Sequence, residues 1–261
     1  MLRALSTAAT GMEAQQTKLD VTAHNIANVS TAGFKKSRAE FADLMYQVER
    51  PAGAATGAAT AAPSGTEVGL GVRVAGTPRT YTEGELSQTG NALDVAIQGN
   101  GFFQITMPDG TTAYTRNGAF QLDAEGKIVD HEGHALAGDL QVPPEASAVT
   151  VASDGTVTAT VPGATEPVSV GQIQVATFAN PAGLEPLGDT LFKATTASGS
   201  PIEGPPGEGG AGSLLQGSLE LSNVNVVEEM VDLISGQRAY EINTRVIKAA
   251  DDMLGQTAQM R

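Results

Sequence analysis

The sequence contains no cysteine and no tryptophan, and aromatic residues make up only 4% of its 261 residues. Without cysteine the chain forms no disulfide, no thiolate metal site and no cysteine nucleophile. The scarcity of large rings favours a core built from small and aliphatic side chains. No stretch approaches the roughly 18 uninterrupted apolar residues that a membrane-spanning helix needs, which argues against direct insertion into a membrane.

Basic residues are also scarce, because 15 Lys and Arg stand against 29 Asp and Glu and the formal net charge is −14. A protein that covers nucleic acid with a broad surface needs a Lys- and Arg-rich stripe to displace phosphate counterions. The sequence has no such stripe, so we expect no nucleic-acid partner.

The start of the chain lacks the unbroken apolar run of a secretory leader. Polar residues such as Ser6, Thr10 and Glu13 interrupt its apolar positions. This pattern is typical of a cytoplasmic protein, or of one exported by a route that reads no cleaved signal peptide.

Residues 2–26 carry the pattern of one long helix. They contain no proline, and their apolar positions alternate at spacings of three and four residues. This spacing predicts a continuous seam that packs lengthwise on a partner helix. The large side chains of the seam are Leu2, Leu5, Met12, Leu19 and Ile26.

Residues 224–260 form a second proline-free segment with helical periodicity, preceded by possible N-cap residues at positions 222, 223 and 225. Two apolar stripes run along it. The first stripe consists of Val226, Leu233, Tyr240, Ile247 and Leu254, with Met230 beside it. The second stripe consists of Ala239, Ile242, Val246, Ala249 and Met253.

Two helices do not cover three apolar stripes. Such stripes occur in the core of a single bundle as well as between subunits, but only two long helices are predicted here. A buried Leu or Ile contributes roughly 1.5–3 kcal/mol, so leaving a whole stripe in water is costly. We therefore predict that the large residues of the N-terminal seam and of the first C-terminal stripe form an assembly interface.

The periodicity between the helices changes to two. Residues 102–107 and 111–116 are strand-like and are joined by a Pro-Asp-Gly turn, which predicts a hairpin. Further strands are predicted at 149–151, 156–161 and 168–178. Turn signals recur every 8–12 residues, as in an antiparallel β domain, which we place at 70–200.

The predicted fold class is α+β. Residues 1–30 and 222–261 are expected to pack as a coiled-coil-like helical polymerisation domain around the central all-β domain. Residues 31–69 are predicted to be a joint and an extended linker, within which 51–65 is irregular and 51–62 is an Ala-rich insert. Residues 201–221 are predicted to be a return linker.

The joint after the first helix is the most informative segment. Asn28 is suited to the left-handed conformation that ends a helix, and Gly33 is suited to a positive φ. Thr31 is suited to bonding with nearby backbone groups, and Phe34 supplies an aromatic anchor. The segment from Asn25 to Lys35 resembles the N-x-A-N-x-x-T-x-G-F-K pattern of the axial proteins of the bacterial flagellum, which form the rod and hook.

Other stretches share this resemblance, which covers nearly the whole chain. Residues 6–16, 99–103 and 222–226 are similar to motifs of the family. Residues 63–72, 114–120 and 237–243 resemble its distal-rod branch. His24 departs from the pattern, since an Asn is common there, and the Ala-rich insert is unusual for distal-rod sequences.

The resemblance implies a structural role. In this family the terminal helices form an inner tube around a channel, the β domain faces outward, and subunits are exported unfolded without cleavage. It implies a helical homopolymer in the basal body, between periplasm and outer membrane, with proximal rod proteins, hook protein and the L and P ring proteins as partners. A proximal rod or hook subunit is the nearest alternative.

Two other classes of function remain open at this point. His131 and His134, flanked by Asp130, Glu132 and Asp139, have the residue types of a zinc site, although polar residues are expected in such a Gly-containing turn. The sequence has no G-x-S-x-G elbow and no phosphate-binding loop, so we predict no enzyme and no cofactor. A soluble β-rich binding module with dimerising helical ends is the other alternative.

Overall fold

Helices lie at the two ends of the chain and strands lie between them in the structure, a computed structural model that describes residues 2–57, 60–138, 140–163 and 166–259. The chain divides into two compact units. Unit 1 consists of Met1–Ile26, Ser37–Pro78 and Val226–Arg261, and unit 2 consists of Ala27–Lys36 and Arg79–Asn225.

The two predicted helices are confirmed. Helix α1 covers Leu2–Ala27 and helix α2 covers Val226–Gln259. Glu228 and Glu229 lie in the first turn of α2, where the positive end of the helix dipole favours carboxylates. Among the described residues, neither helix has an apolar stretch long enough to cross a bilayer.

Unit 1 also contains a ladder of three nested antiparallel strand pairs. Strand β1 pairs with β6, β2 with β5, and β3 with β4, so the chain runs out along one side and returns along the other. The six strands are β1 Glu40–Asp43, β2 Tyr46–Arg50, β3 Ala55–Gly57, β4 Thr60–Ala61, β5 Thr66–Gly69 and β6 Val72–Gly76.

Residues 31–69 are therefore not a simple extended linker, and 51–65 is not wholly irregular. The sequence prediction missed this ladder because its strands show little apolar alternation, and every residue of β2 is exposed. The pairing depends on backbone hydrogen bonds between residues distant in sequence, which local patterns do not reveal.

In the described part of unit 2, all strand pairs are antiparallel. A nine-stranded sheet has the order β11-β12-β13-β9-β10-β19-β18, with β17 pairing both β9 and β20. A three-stranded sheet has the order β14-β15-β16, and two ribbons pair β21 with β8 and β22 with β7. The strands are β7 Leu86–Gln88, β8 Val95–Gln98, β9 Phe102–Thr106, β10 Thr112–Thr115, β11 Gln121–Leu122, β12 Ile128–Val129, β13 Ala135–Leu136, β14 Ala148–Val151, β15 Thr156–Thr160, β16 Val168–Gln172, β17 Val175–Thr177, β18 Glu185–Gly188, β19 Leu191–Lys193, β20 Ile202–Gly204, β21 Ser213–Gln216 and β22 Ser218–Glu220.

The predicted hairpin is confirmed as β9 and β10, which pair from Thr112 with Thr106 onward. Its turn forms because Asp109 Oδ1 accepts a hydrogen bond from the Thr111 N–H at 2.9 Å and Gly110 has a φ of 79°. Such a positive φ suits glycine, which has no Cβ.

Two sequence predictions need correction in this unit. Residues 168–178 form two strands rather than one, because Ile173 and Gln174 interrupt the strand structure. The two strands, β16 and β17, belong to different sheets. Residues 201–221, predicted to be a return linker, contain β20, β21 and β22, and the partner strand of β22 lies about 130 residues earlier in the chain.

Unit 2 has two hydrophobic clusters on opposite faces of β9. Phe103 and Ile105 enter a large, mainly aliphatic cluster, whereas Phe102 enters a smaller aromatic one, because successive side chains of a strand alternate. In the aromatic cluster Tyr114 and Phe178 meet edge to face at 4.9 Å between ring centres. The prediction of a small and aliphatic core misses this cluster, since composition does not show that the few rings gather together.

The fold class is α+β, with terminal helices and a central antiparallel β region, as predicted. The coiled-coil-like packing and the domain boundaries remain predictions.

Gly118→Ala tests the packing of unit 2. An added Cβ would lie 1.7 Å from the Val95 carbonyl oxygen, so strand β8 has to shift. We expect a loss of about 3 kcal/mol in the free energy of unfolding, at the upper end of overpacking effects, measured by denaturant titration. Gly204→Ala is the control, because nothing lies within 4 Å of its added Cβ. Equal stability of the two variants would contradict this packing.

Candidate assembly interface and joint

The two helices of unit 1 contact each other along their length and run antiparallel. Near the end of α1, Asn25 Nδ2 donates to Glu229 Oε2 at 3.1 Å, close to the start of α2. Nearer the start of α1, an added Cβ at Gly11 would lie 3.1 Å from the Asn243 side chain. Residue numbers therefore fall along α2 as they rise along α1.

Glycine allows the helices to approach closely. An added Cβ at Gly236 would lie 3.0 Å from Leu19 Cδ2, so the leucine packs directly over the backbone of α2. Lys18 Nζ forms an ion pair with Asp232 Oδ1 at 3.0 Å beside this contact. Neither Gly11 nor Gly236 is among the interface residues predicted from the sequence. A glycine kept inside each long helix was the available signal for a close crossing.

The predicted interface residues divide into two groups. On α2, Val226, Met230 and Tyr240 are exposed, at 39%, 54% and 40% of their surface. The side chain of Leu2 lies outside the described part of the chain. The half-buried members are Leu5, Met12, Leu19, Ile26, Leu233, Ile247 and Leu254.

The large residues of the second stripe of α2 are exposed in this single chain, whereas Ala239 is half-buried. Ile242, Val246 and Met253 are 59%, 43% and 50% exposed. Three residues that the sequence analysis did not include, Val227, Val231 and Ile234, are also exposed and follow the same spacing of three and four toward the start of the helix. We call these six residues the outer stripe.

The outer stripe lies on a different side of α2 from the residues that meet α1. One residue turns an α-helix by about 100°, so Ile242 is about 140° around the helix from the half-buried Ile247. A helix with apolar side chains on two sides needs a packing partner on each side to bury them. Helix α1 therefore leaves a long apolar surface of α2 in water.

The joint begins in unit 1 with Asn25, whose side chain is 2% exposed. Its amide makes a paired contact with the backbone of Ser37, because Nδ2 donates to the Ser37 carbonyl at 2.9 Å and Oδ1 accepts from the Ser37 N–H at 3.0 Å. A side chain without both a donor and an acceptor does not make this pair. This contact fixes the chain where it returns after the joint.

The next turn of the joint, in unit 2, ends the helix differently from the prediction. Asn28 is not left-handed, since Asp189 and Thr190 are the non-glycine residues of positive φ in the described part of the chain. The Thr31 N–H instead donates to the Asn28 carbonyl at 3.2 Å. Gly33 has a φ of 69°, and an added Cβ would lie 2.4 Å from the Asn117 backbone nitrogen.

Phe34 is the aromatic anchor that the sequence analysis expected, and it is 5% exposed. The Arg79 guanidinium lies 5.9 Å from its ring centre and 5.3 Å from that of Phe192. Burial lowers the pKa of Arg79. The contact attaches the joint to the aromatic side of unit 2.

Lys35 is fully buried and forms an ion pair with Glu220, which is also fully buried. Its Nζ also donates to the Thr82 carbonyl at 2.7 Å. Burial lowers the pKa of Lys35, and the neighbouring Glu220 carboxylate partly offsets this effect. The Gly84 N–H donates to Glu220 Oε1 at 2.9 Å.

Arg116 is the second cation beside this carboxylate. Its Nη1 lies 3.4 Å from Glu220 Oε2 and donates to the Ile97 carbonyl at 3.2 Å. Its Nη2 donates to the Gly99 carbonyl at 2.6 Å. Burial lowers the pKa of Arg116 as well. Sequence reasoning found Lys35 as a motif residue but not its partners, which are distant in sequence.

Asn223 is not an N-cap as predicted. Its Oδ1 accepts from the Lys36 N–H at 2.8 Å, and its Nδ2 donates to the Thr80 carbonyl at 2.8 Å. Ser222 Oγ accepts from the Val224 N–H at 3.3 Å, before α2 begins. Asn223 therefore holds the joint and the C-terminal segment together within unit 2.

His131 and His134, which were considered as a metal site, lie beside different carboxylates. His134 Nδ1 lies 3.1 Å from Asp130 Oδ2, and Asp130 Oδ1 accepts from two backbone N–H groups of the same turn. His131 groups with Glu132 and Asp189, and all three are exposed. Asp139 lies outside the described residues.

Three family models match the chain at its ends and in its middle. The model described as "Flagella basal body rod protein" matches residues 5–35, and "Flagellar hook protein FlgE/F/G D1 domain" matches 96–159. "Flagellar basal body rod FlgEFG protein C-terminal" matches 215–260. These ranges contain the joint, most of the large hydrophobic cluster and α2.

Full-length relatives agree with these matches. The flagellar basal-body rod protein FlgG of Buchnera aphidicola subsp. Schizaphis graminum is 47% identical over 260 residues and covers 100% of both chains. That of Agrobacterium fabrum is 48% identical and covers 97% of both. The chain belongs to the flagellar basal-body rod protein family.

Similarity to the hook branch of the family is weaker. The flagellar hook protein FlgE of Salmonella typhimurium is 26% identical over 418 aligned positions. The chain is therefore a structural subunit of the flagellar rod, as the distal-rod resemblance predicted, and a basal-body protein.

Gly236→Leu tests the close contact between the helices of this rod protein. The larger side chain collides with Leu19, so we expect the free energy of unfolding of unit 1 to fall by about 1–3 kcal/mol. Helical circular dichroism during thermal unfolding measures the effect. Gly255→Leu, on the same helix with nothing within 4 Å of its added Cβ, is the control. The contact would be disproved if the Gly236 variant were as stable as this control.

Proposed function

We propose that this chain polymerises through its two terminal helices into the rigid helical tube of the distal rod, which transmits motor torque to the hook. The observation that best supports this proposal is the exposed outer stripe of α2. Its six side chains are between 43% and 71% exposed in the single chain.

The outer stripe gives a large driving force for association. Burying each Val, Ile or Met side chain contributes roughly 1.5–3 kcal/mol, part of which the entropy cost of association offsets. One face of α2 meets α1 and another is largely exposed to solvent, so a neighbouring chain is the proposed partner of the second face. A head-to-tail contact that does not close on itself generates an open helical filament.

In this proposal residues 1–30 and 222–261 are the polymerisation domain and 70–200 is the outer domain. The predicted seam residues of both helices pack in a coiled-coil-like manner. The close contacts at Gly11 and Gly236 support such lengthwise packing. The joint residues from Asn25 to Lys35 link the helical and outer layers.

The proposed partners are other copies of the chain, the proximal rod proteins, the hook protein and the proteins of the L and P rings. The proposed location is the basal body from the periplasm to the outer membrane, reached by export without cleavage of a signal peptide. The acidic net charge of −14 supports solubility of the subunit before it assembles.

A module that only dimerises through its helices is the second candidate, and the exposed outer stripe is also compatible with it. Sedimentation of the full chain over a range of concentrations separates the two. A mass that keeps rising with concentration supports the rod proposal, whereas a mass that stops at twice that of the chain supports the dimer.

The double variant Ile242→Ser, Val246→Ser tests the outer stripe. It removes two exposed apolar side chains without touching the contacts with α1. We expect assembly to require at least about tenfold more protein, because the lost burial exceeds 1.4 kcal/mol, while thermal stability of the monomer stays unchanged. Gln237→Ser, Lys248→Ser changes two exposed polar residues of the same helix and serves as the control. Unchanged assembly of the test variant would rule out this face as the interface.

Deletion of residues 1–30 tests the need for α1. It removes the partner of α2, so we expect no filaments at any concentration, while near-ultraviolet circular dichroism still reports the aromatic cluster of unit 2. Electron microscopy compares the truncated and full chains under identical conditions. Filaments formed by the truncated chain would contradict the proposed role of the first helix.

A further inference from the structure

Three separate parts of the chain meet at one buried carboxylate in unit 2. Lys35 comes from the joint, Arg116 follows β10, and Glu220 ends β22. The relative exposure of the three side chains is 0%, 3% and 0%. Lys35 and Glu220 are 185 positions apart in sequence.

Backbone hydrogen bonds join the same segments around this cluster. The Gly33 N–H donates to the Glu220 carbonyl at 2.8 Å, and the Thr80 N–H donates to the Lys36 carbonyl at 2.9 Å. The Asn223 side chain bonds both Lys36 and Thr80. The joint is thus bound on one side by residues that follow β21 and on the other by residues that precede β7.

The hydrophobic clusters of unit 2 do not involve these closing segments. Within the described residues, neither cluster contains a side chain from 27–36 or from 217–225. Each closing segment buries an apolar side chain, Phe34 at 5% and Val224 at 8% exposed, and adds the charges and hydrogen bonds described above, whereas residues 95–214 supply most of the two apolar clusters.

A buried carboxylate is stable only beside its cations. Moving a charge out of water costs several kcal/mol, and the cost is recovered only when the opposite charge and the remaining hydrogen bonds are in place. Loss of Lys35 leaves Glu220 with Arg116 alone, at 3.4 Å, and loss of Glu220 leaves both cations without a counter-charge, so either loss favours the open, hydrated arrangement of the segments.

We propose that Lys35, Arg116 and Glu220 form a latch that closes unit 2 after its apolar core has folded. In a chain that is synthesised from its N-terminus, Lys35 and Arg116 are present long before Glu220. The joint consequently stays open until the strand that precedes α2 has arrived. The latch thereby makes the ordering of the joint depend on nearly the whole chain being present.

Hydrogen exchange of the unmodified full chain tests the order of closing. The amides of Lys36 and Gly84 report the latch, because they donate to Asn223 Oδ1 and Glu220 Oε1. The amides of Val142 and Ile173 report the core, since they donate to the Gly126 and Gly155 carbonyls at 2.7 and 2.8 Å. In refolding with pulsed labelling we expect the core amides to be protected first. Protection of the latch amides at the same time or earlier would overturn the proposal.

Lys35→Met tests the role of charge while it leaves the acceptors of both latch amides in place. We expect exchange at Lys36 and Gly84 to rise about 100-fold or more, as for other buried pairs that lose one partner, and exchange at Val142 and Ile173 to change less than about threefold. Arg38→Met is the matched control, because Arg38 pairs with Glu40 at the surface, at 73% and 46% exposure. Equal acceleration of all four amides, or of none, would refute a separate latch.

The double variant Lys35→Met, Glu220→Gln distinguishes charge from packing. It removes the carboxylate that still pairs with Arg116 in the single variant and leaves that guanidinium buried without a counter-ion, so we expect exchange of the latch amides to be faster than in Lys35→Met alone. If the double variant opens no more than the single variant, the segments are held by shape and the latch proposal fails.

Discussion

The buried carboxylate of Glu220 needs its two cations, and the arrangement of unit 2 depends on that need. Lys35 holds the joint beside the strand that precedes α2, and Arg116 links both to the β9–β10 hairpin. Burying a carboxylate costs several kcal/mol unless cations and hydrogen-bond donors surround it, and here these groups come from distant parts of the chain. The first and last segments of unit 2 are thereby tied together, although they are separated by almost the whole β region.

The helices satisfy a different physical requirement. Apolar side chains favour burial, and glycine at positions 11 and 236 lets α1 and α2 approach closely enough to bury one face of each. The outer stripe of α2 has no such cover in a single chain. In the proposed rod assembly, this exposed apolar surface supplies association energy, which connects the periodicity of the sequence with assembly.

The two units use contrasting interactions for related purposes. Apolar packing forms the core of unit 2, while a charge cluster joins segments that are far apart in the sequence. In unit 1 the polar contact of Asn25 with Ser37 sets where the chain returns, while apolar contacts join the helices. Polar groups thus determine which segments meet, while apolar burial supplies most of the stabilising free energy.

The sequence by itself determined the helices, the fold class, the β9–β10 hairpin and the family. These follow from local spacing, turn residues and motifs, which act over a few residues. Only the tertiary structure decided that residues 40–76 form a strand ladder, that Asn223 binds Lys36 and Thr80, and that Lys35 meets Glu220. Each of these depends on groups far apart in the chain, and residue type shows a capacity for hydrogen bonding or charge pairing without showing the partner.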